Sequence, residues 1–301
     1  MSRGKLDITS AAGIAVGVAI GAVAVGAAAV AVGSQCLQIV RTRAGVARVK
    51  MIRGEQGERV RVLQQGGVFQ SATYLDERRF EPVFSYYRAF DAMFEAEPAM
   101  RELAGHGIER VLMLGGGGFS YPKHALSQHP ELTMDVVEID PGIVRIARRW
   151  FFLDELERKV GERLNIHTED ARIYLAEAAN ADVRYDVIVN DCFTGANPVC
   201  ALATVEALRQ VKECLRPGGL YLANVVSENA GCNIEFLRNA LTTAAVIFSR
   251  VAIIPCEDEV FGGEDNYLLV ASDASYDFSG CMPFDEALFS TVLHDGDSPA
   301  S

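Results

Sequence analysis

Arg110-Val-Leu-Met-Leu-Gly-Gly-Gly-Gly118 is a short apolar run that ends in four consecutive glycines. Residues 111–114 are too few for a helix and are bounded by glycine, so they read as a fully buried strand. The glycines let the backbone turn tightly and let a ligand approach with no Cβ in the way. The same rhythm recurs downstream. Strand-like runs at 134–139, 164–167, 185–189 and 220–226 alternate with helical patterns at 143–152, 171–179 and 202–215. Pro217-Gly218-Gly219 marks the turn into the fifth strand, and a helix near 234–245 and strands near 251–254 and 267–271 follow. This alternation predicts an α/β domain over 101–275, with a doubly wound, mostly parallel Rossmann-like sheet.

Upstream, Val60-Arg-Val-Leu-Gln-Gln-Gly-Gly-Val-Phe-Gln-Ser-Ala-Thr-Tyr74 reads as a β-hairpin turning at Gly66-Gly67. A helical lead-in follows, with aromatics at Phe84, Tyr86, Tyr87, Phe90 and Phe94, so 60–100 predicts a small hairpin subdomain. The Arg-rich stretch 41–59 reads as a basic linker, and 276–301 as an acidic, weakly structured tail.

Residues 11–33 are Ala, Val, Gly and Ile only, and no charged side chain occurs from 8 to 40. As a helix, 11–33 would be roughly 35 Å long against a hydrocarbon core of about 30 Å. A membrane anchor is therefore expected within 1–40, with a cleaved signal peptide as its rival. Arg41, Arg43, Arg48, Lys50 and Arg53 follow the stretch, against Arg3 and Lys5 before it. The positive-inside rule then predicts a single-pass cell-membrane protein with a cytoplasmic catalytic domain. The Ala/Gly content makes the span weakly hydrophobic.

Of the 301 residues, 50% are hydrophobic and 23% charged, which excludes a disordered chain. The 28 basic and 40 acidic residues give a net charge of −12. No Lys or Arg follows Arg250, whereas eleven acids do. Nucleic-acid binding is not expected, because phosphate neutralisation needs a basic face. The seven cysteines are odd in number and contain no CxxC pair, which suggests neither a disulfide framework nor a metal site.

In doubly wound sheets, ligands sit beyond the carboxyl ends of the strands near the switch point. Four successive strand ends here carry fitting groups. Gly115, Gly116 and Gly117 follow the first. Glu138 ends the second, where a carboxylate can accept both hydroxyls of a ribose. Glu169-Asp170 end the third and can accept an exocyclic adenine amine. Asn190-Asp191 end the fourth. Together they predict a nucleoside pocket. A dinucleotide site is disfavoured, since Ser120 stands where G-x-G-x-x-G starting at Gly115 requires glycine.

These motifs, with Gln70-Ser71, Tyr86-Tyr87, Asp186-Val-Ile-Val-Asn-Asp191 and Leu215-Arg-Pro-Gly-Gly219, resemble the spermidine synthase (polyamine aminopropyltransferase) family. The resemblance covers about 58–272 and implies a class I S-adenosylmethionine-dependent methyltransferase-like fold. It implies S-adenosylmethionine or its decarboxylated form as co-substrate, with sulfonium and sugar over Gly115, Gly116 and Gly117. It also implies Glu138 on the ribose, Asp170 and Ala171 near the adenine, Asp191 beside the reacting centre, and an amine as second substrate. Two positions depart from the family. Gly118 replaces an acid that follows the glycines, and Thr194 replaces a second acid three residues after Asp191.

Asp191 is the expected catalytic residue. An attacking alkylammonium with a pKa near 10.4 must lose its proton, and a carboxylate both attracts the cation and accepts that proton. Gln70, Tyr86, Tyr87 and Thr194 are expected around the amine, although Tyr86 and Tyr87 fit a core role equally well. Cys192 and His167 read as packing and structural residues. Aminopropyl transfer, methyl transfer, and a membrane-tethered nucleoside binder with degraded catalysis all remain open, as does a homo-oligomeric state.

Overall fold

The computed structural model describes residues 35–54, 57–194, 197–228, 234–256, 264–283 and 290–297. An antiparallel meander comes first, formed by β1 (Gln35–Thr42), β2 (Gly45–Arg53), β3 (Arg59–Gln65) and β4 (Val68–Tyr74) in that spatial order. Gln65 pairs with Val68 across a two-residue turn in which Gly66 and Gly67 have φ of 62° and 91°. Positive φ at both centres is the geometry a tight hairpin needs.

The hairpin is thus half of a four-stranded sheet, and the linker expected at 41–59 is mostly strand. In β2, Ala47, Val49 and Ile52 are buried while Arg48 and Arg53 point outward. The exposed arginines masked this alternation in the sequence. Ala47 and Val49 pack with Leu63, Ile143, Ile146 and Phe151, which ties the meander to the main domain.

Three short helices, α1 (Tyr86–Ala89), α2 (Ala92–Glu95) and α3 (Glu97–Ala104), lead into β5 (Arg110–Leu114) and α4 (Ser120–Gln128). Next come β6 (Thr133–Val137), α5 (Pro141–Trp150), α6 (Leu153–Val160), β7 (Leu164–His167), α7 (Ala171–Asn180) and β8 (Tyr185–Asn190). A ribbon of β9 (Phe193–Thr194) and β10 (Asn197–Pro198) precedes α8 (Val205–Glu213), β11 (Leu215–Glu228) and α9 (Glu235–Ile247). The chain then forms β12 (Arg250–Cys256), β13 (Glu264–Ser272) and β14 (Met282–Pro283).

The large sheet has the order β14-β12-β13-β11-β8-β5-β6-β7. The run β11-β8-β5-β6-β7 is parallel, and β13, β12 and β14 are antiparallel. The expected Rossmann-like fold is borne out. In β5, Val111 and Met113 join one core cluster and Leu112 and Leu114 the other, so the strand is covered on both faces. Full burial of such a side chain is worth about 1.5–3 kcal/mol, which fixes a short strand that could not persist alone. Pro217-Gly218-Gly219 lies inside β11, as a register shift between Leu215 and Leu220.

Two further expectations are corrected. The described parts of the tail, mostly without helix or strand, are nonetheless docked. Tyr276 donates to Gly218 O at 2.5 Å, and the amides of Ser290, Thr291 and Leu293 donate to Thr242, Asn239 and Thr243 on α9. Buried polar side chains on that helix supply partners that composition alone does not reveal. The membrane localisation is also withdrawn. Among the described residues no helix is long and apolar enough to cross a membrane. The stretch 11–33 that suggested an anchor lies outside the described residues, and with it the cell-membrane assignment loses its support.

Candidate active site

The order of the sheet reverses between β5 and β8, and a cavity of about 360 Å³ opens at their carboxyl ends. That volume suits a nucleoside-sized ligand. Gln70, Tyr86, Tyr87, Gly115, Gly116, Gly117, Glu138, Asp170, Ala171, Asp191 and Thr194 all line it. The structure thus brings together the residues expected to bind or react with the ligands, whereas Asn190, His167 and Gly118 do not line the cavity.

At the glycine end, Gly115 has a φ of 94° and donates its N–H to Val137 O at 2.9 Å. A Cβ there would lie 2.4 Å from the carbonyl oxygen of Asp191. Glycine is required because the ends of β5 and β8 nearly touch. Glu138 is 8% exposed and occupied by the chain itself. Its Oε2 accepts the N–H groups of Gly116 at 3.1 Å and Gly117 at 2.9 Å, and its Oε1 accepts that of Asp140 at 3.0 Å. Burial pushes its pKa up, against these three donors. Glu138 therefore shapes the glycine turn, and Oε1 keeps a lone pair for a ligand donor.

At the third strand end, Asp170 caps α7 by accepting the N–H of Arg172 at 2.8 Å. One oxygen is committed, leaving Oδ2 for a ligand donor.

Asp191 lines the same cavity, with its backbone against Gly115 at the ends of β5 and β8. Its Oδ1 accepts from Asn224 Nδ2 at 2.9 Å, and Tyr86 also hydrogen-bonds it. Burial pushes its pKa up to about 6, against those two bonds. Such a carboxyl is poised to exchange a proton near neutrality. Tyr86 and Tyr87 are almost fully buried, with ring centroids 4.2 Å apart, so they serve core and pocket wall at once. Cys192 lines the cavity, but burial and the carboxylates of Glu138, Asp191 and Asp170 raise its pKa strongly and keep the thiol protonated. Thr194 lies on the cavity rim and is exposed.

Three of the lining residues that reading the sequence missed carry polar groups into the site. Asn224 orients Asp191, and its signal was a polar residue inside the apolar run 220–226. Arg43 came from the supposed linker; its Nη1 donates to Ile139 O at 3.0 Å and its backbone N–H donates to Asp140 Oδ2. Arg172 stands beside Asp170, and no local pattern marks it.

Gly118 does not line the cavity. A Cβ at 118 would lie 2.5 Å from Ser71 Oγ and 3.1 Å from Phe151 Cδ1. Gly118→Ala is accordingly expected to destabilise the fold by about 1–3 kcal/mol in urea unfolding, the usual range for overpacking. Adding Ser71→Gly should recover most of that loss. An unchanged midpoint for the single variant would show that Ser71 has room to move.

The Spermine/spermidine synthase domain pattern matches residues 99–256, just over half of the chain. The chain belongs to the spermine/spermidine synthase family. It is 33% identical over 166 residues to a polyamine aminopropyltransferase of Vibrio vulnificus, covering 54% of this chain and 50% of that protein. It is 26% identical over 149 residues to the human eEF1A lysine and N-terminal methyltransferase, covering 46% of this chain and 21% of that one. The chain thus spans about half the length of the first relative and about a fifth of the second. Both relatives are transferases by name.

Among solved structures, a probable spermidine synthase from Corynebacterium glutamicum superposes with a TM-score of 0.66. It is 22% identical, with 88% of this chain and 98% of that one covered. Human methyltransferase-like protein 13 in complex with SAH gives a TM-score of 0.52 at 23% identity, covering 68% of this chain and 86% of that one. At these identities the two structures establish the fold.

Proposed function

We propose that this member of the family transfers an aminopropyl group from decarboxylated S-adenosylmethionine to an amine, with Asp191 as amine anchor and proton acceptor. One observation carries the reading. The Asp191 carboxyl is held by Asn224 and Tyr86 in the same cavity as the glycine turn that Glu138 shapes. The donor set fits a nucleoside: Glu138 Oε1 and Asp170 Oδ2 each retain acceptor capacity, and glycines leave the turn open. When bound, the co-substrate would supply a sulfonium that activates the adjacent carbon, the C–S bond breaking as the C–N bond forms and 5′-methylthioadenosine leaving as a neutral thioether. Asp191 attracts the ammonium form of the acceptor, takes its proton and so exposes the nitrogen lone pair. Tyr86 and Tyr87 exclude water from that exchange.

Methyl transfer from intact S-adenosylmethionine is the second reading. It is favoured by threonine rather than an acid at 194, on the cavity rim, and by methyltransferases among the relatives. The deciding experiment incubates the full chain with each co-substrate and a panel of amines, read by mass spectrometry. A mass gain of one aminopropyl group supports the first reading and of one methyl group the second. No gain with any pair would leave a nucleoside binder without turnover.

The raised pKa of Asp191 predicts a pH profile. Proton acceptance needs the carboxylate, so kcat/KM should fall about tenfold per pH unit below a break near 6. A profile flat between about pH 5 and 7 would remove Asp191 as the base.

A further inference from the structure

The segment 290–297 has no place in the chemistry above, yet it reaches the wall of the cavity. Leu293 O accepts the N–H of Val205, and the N–H of Asp295 donates to Glu206 Oε2 at 2.9 Å. Asp295 then grips Arg172 across 123 positions of sequence. Arg172 Nη1 donates to Asp295 Oδ1 at 3.1 Å and Nη2 to Oδ2 at 2.9 Å, a bidentate pair. The same Nη1 donates to Ala201 O at 2.7 Å and to Thr204 Oγ1 at 3.1 Å, and Thr204 Oγ1 donates to Asp295 Oδ1 at 2.8 Å. Arg172, Ala201 and Leu202 line the cavity beside Asp170 and Ala171.

We infer that Asp295 is a positioning residue for the nucleoside pocket: through Arg172 and Thr204 it fixes the wall formed by Ala201 and Leu202. The inference rests on the nucleoside reading of the cavity proposed above. Its physical basis is the fork geometry of guanidinium and carboxylate. Two parallel bonds set the plane of the Arg172 head group, and that plane aims Nη1 at Ala201 O. Thr204 also caps α8, accepting the N–H of Ala207 at 3.2 Å, so the node links α7, α8 and the segment between them. Without the carboxylate, Arg172 has rotamer freedom at the cavity wall, and a ligand must then order the wall as it binds. Arg172 is 22% exposed and Asp295 46%, so the pair adds little to global stability. Its effect falls on binding.

The test is calorimetry of 5′-methylthioadenosine with the full chain and four variants, with melting temperatures alongside. Asp295→Asn and Arg172→Gln should each weaken binding about fivefold to twentyfold, and the double variant no more than either alone, as expected for coupled residues. Asp295→Glu keeps the charge and should restore affinity to within about threefold of wild type. Melting temperatures should barely move. Wild-type affinity in Asp295→Asn would overturn the inference while leaving the nucleoside reading intact. Additive losses in the double variant would also overturn it, by showing two unconnected contacts. A wild-type chain that binds no adenine nucleoside would instead overturn the reading of the cavity and the inference with it.

Discussion

Asp191→Asn is expected to abolish transfer, lowering kcat by about 10²- to 10⁴-fold, the range for losing a positioned proton acceptor. The same change should stabilise the protein at neutral pH. Burial raises the carboxyl's pKa from 3.8 to about 6, so the fold favours the protonated form. Its contribution to stability is fully present below the unfolded value near 3.8 and is lost as pH rises through about 6. Above that pH a buried negative charge works against folding. Asparagine is neutral and of similar shape, so urea unfolding at pH 8 should show a gain of about 1–2 kcal/mol. The gain stays below the full linkage value because the amide must meet Asn224 and Tyr86 with one acceptor and one donor group. At pH 5 the two proteins should be nearly equal. Retained turnover would remove Asp191 from the chemistry. A loss of stability at pH 8 would mean that the carboxylate is better solvated than its surroundings imply.

The large sheet was legible because its signals are local. β5 and β8 are short, mostly apolar runs closed by glycine or an acid, and two-sided burial demands that composition. Leu164–His167 matched its strand to the residue, and Tyr185–Asn190 to within one. The amino-terminal sheet was half legible. β3 and β4 announce themselves through Gly66-Gly67, whereas β2 hides its buried Ala47, Val49 and Ile52 among arginines. A strand of a sheet packed on one side needs only one apolar face, and charge on the other face resembles a linker. The span at 11–33 was inferred from length, absence of charge and a basic flank, and it lies outside the described residues.

The candidate site was legible where chemistry sits at a strand end. Gly115, Glu138, Asp170 and Asp191 each end a strand, and the doubly wound topology gathers such ends by construction. What these residues hold on to was not legible. Asn224 and Asp191 are 33 residues apart, and Arg172 and Asp295 are 123 apart. Such pairings depend on the register of β11 beside β8 and on where the carboxyl-terminal segment docks. A single sequence carries no periodic trace of either. Gly118 shows the converse failure. The sequence invites a ligand-facing role, yet its Cβ direction points at Ser71.

Glu138→Ala should damage the site more than the loss of a ribose contact would. Three backbone donors, at Gly116, Gly117 and Asp140, share that one buried carboxylate. Its removal strands them, and each unsatisfied buried donor costs about 1–3 kcal/mol unless water enters. Water entry through the adjacent cavity limits the total, so unfolding should be easier by about 2–4 kcal/mol. Binding of 5′-methylthioadenosine should weaken by roughly 10²- to 10³-fold, one part from the lost charge-assisted bond and the rest from a glycine turn no longer held in shape. Glu138→Gln separates the two contributions. Its single carbonyl oxygen can still accept from Gly116 and Gly117, but its NH₂ then faces the N–H of Asp140 and has no acceptor there. Glutamine should therefore fall between wild type and alanine in both stability and affinity. Were the carboxylate only a ribose ligand, alanine and glutamine would lose affinity together and the urea midpoint would not move. A midpoint shifted in step with affinity, in the order Glu, Gln, Ala, is what a carboxylate that builds the turn requires.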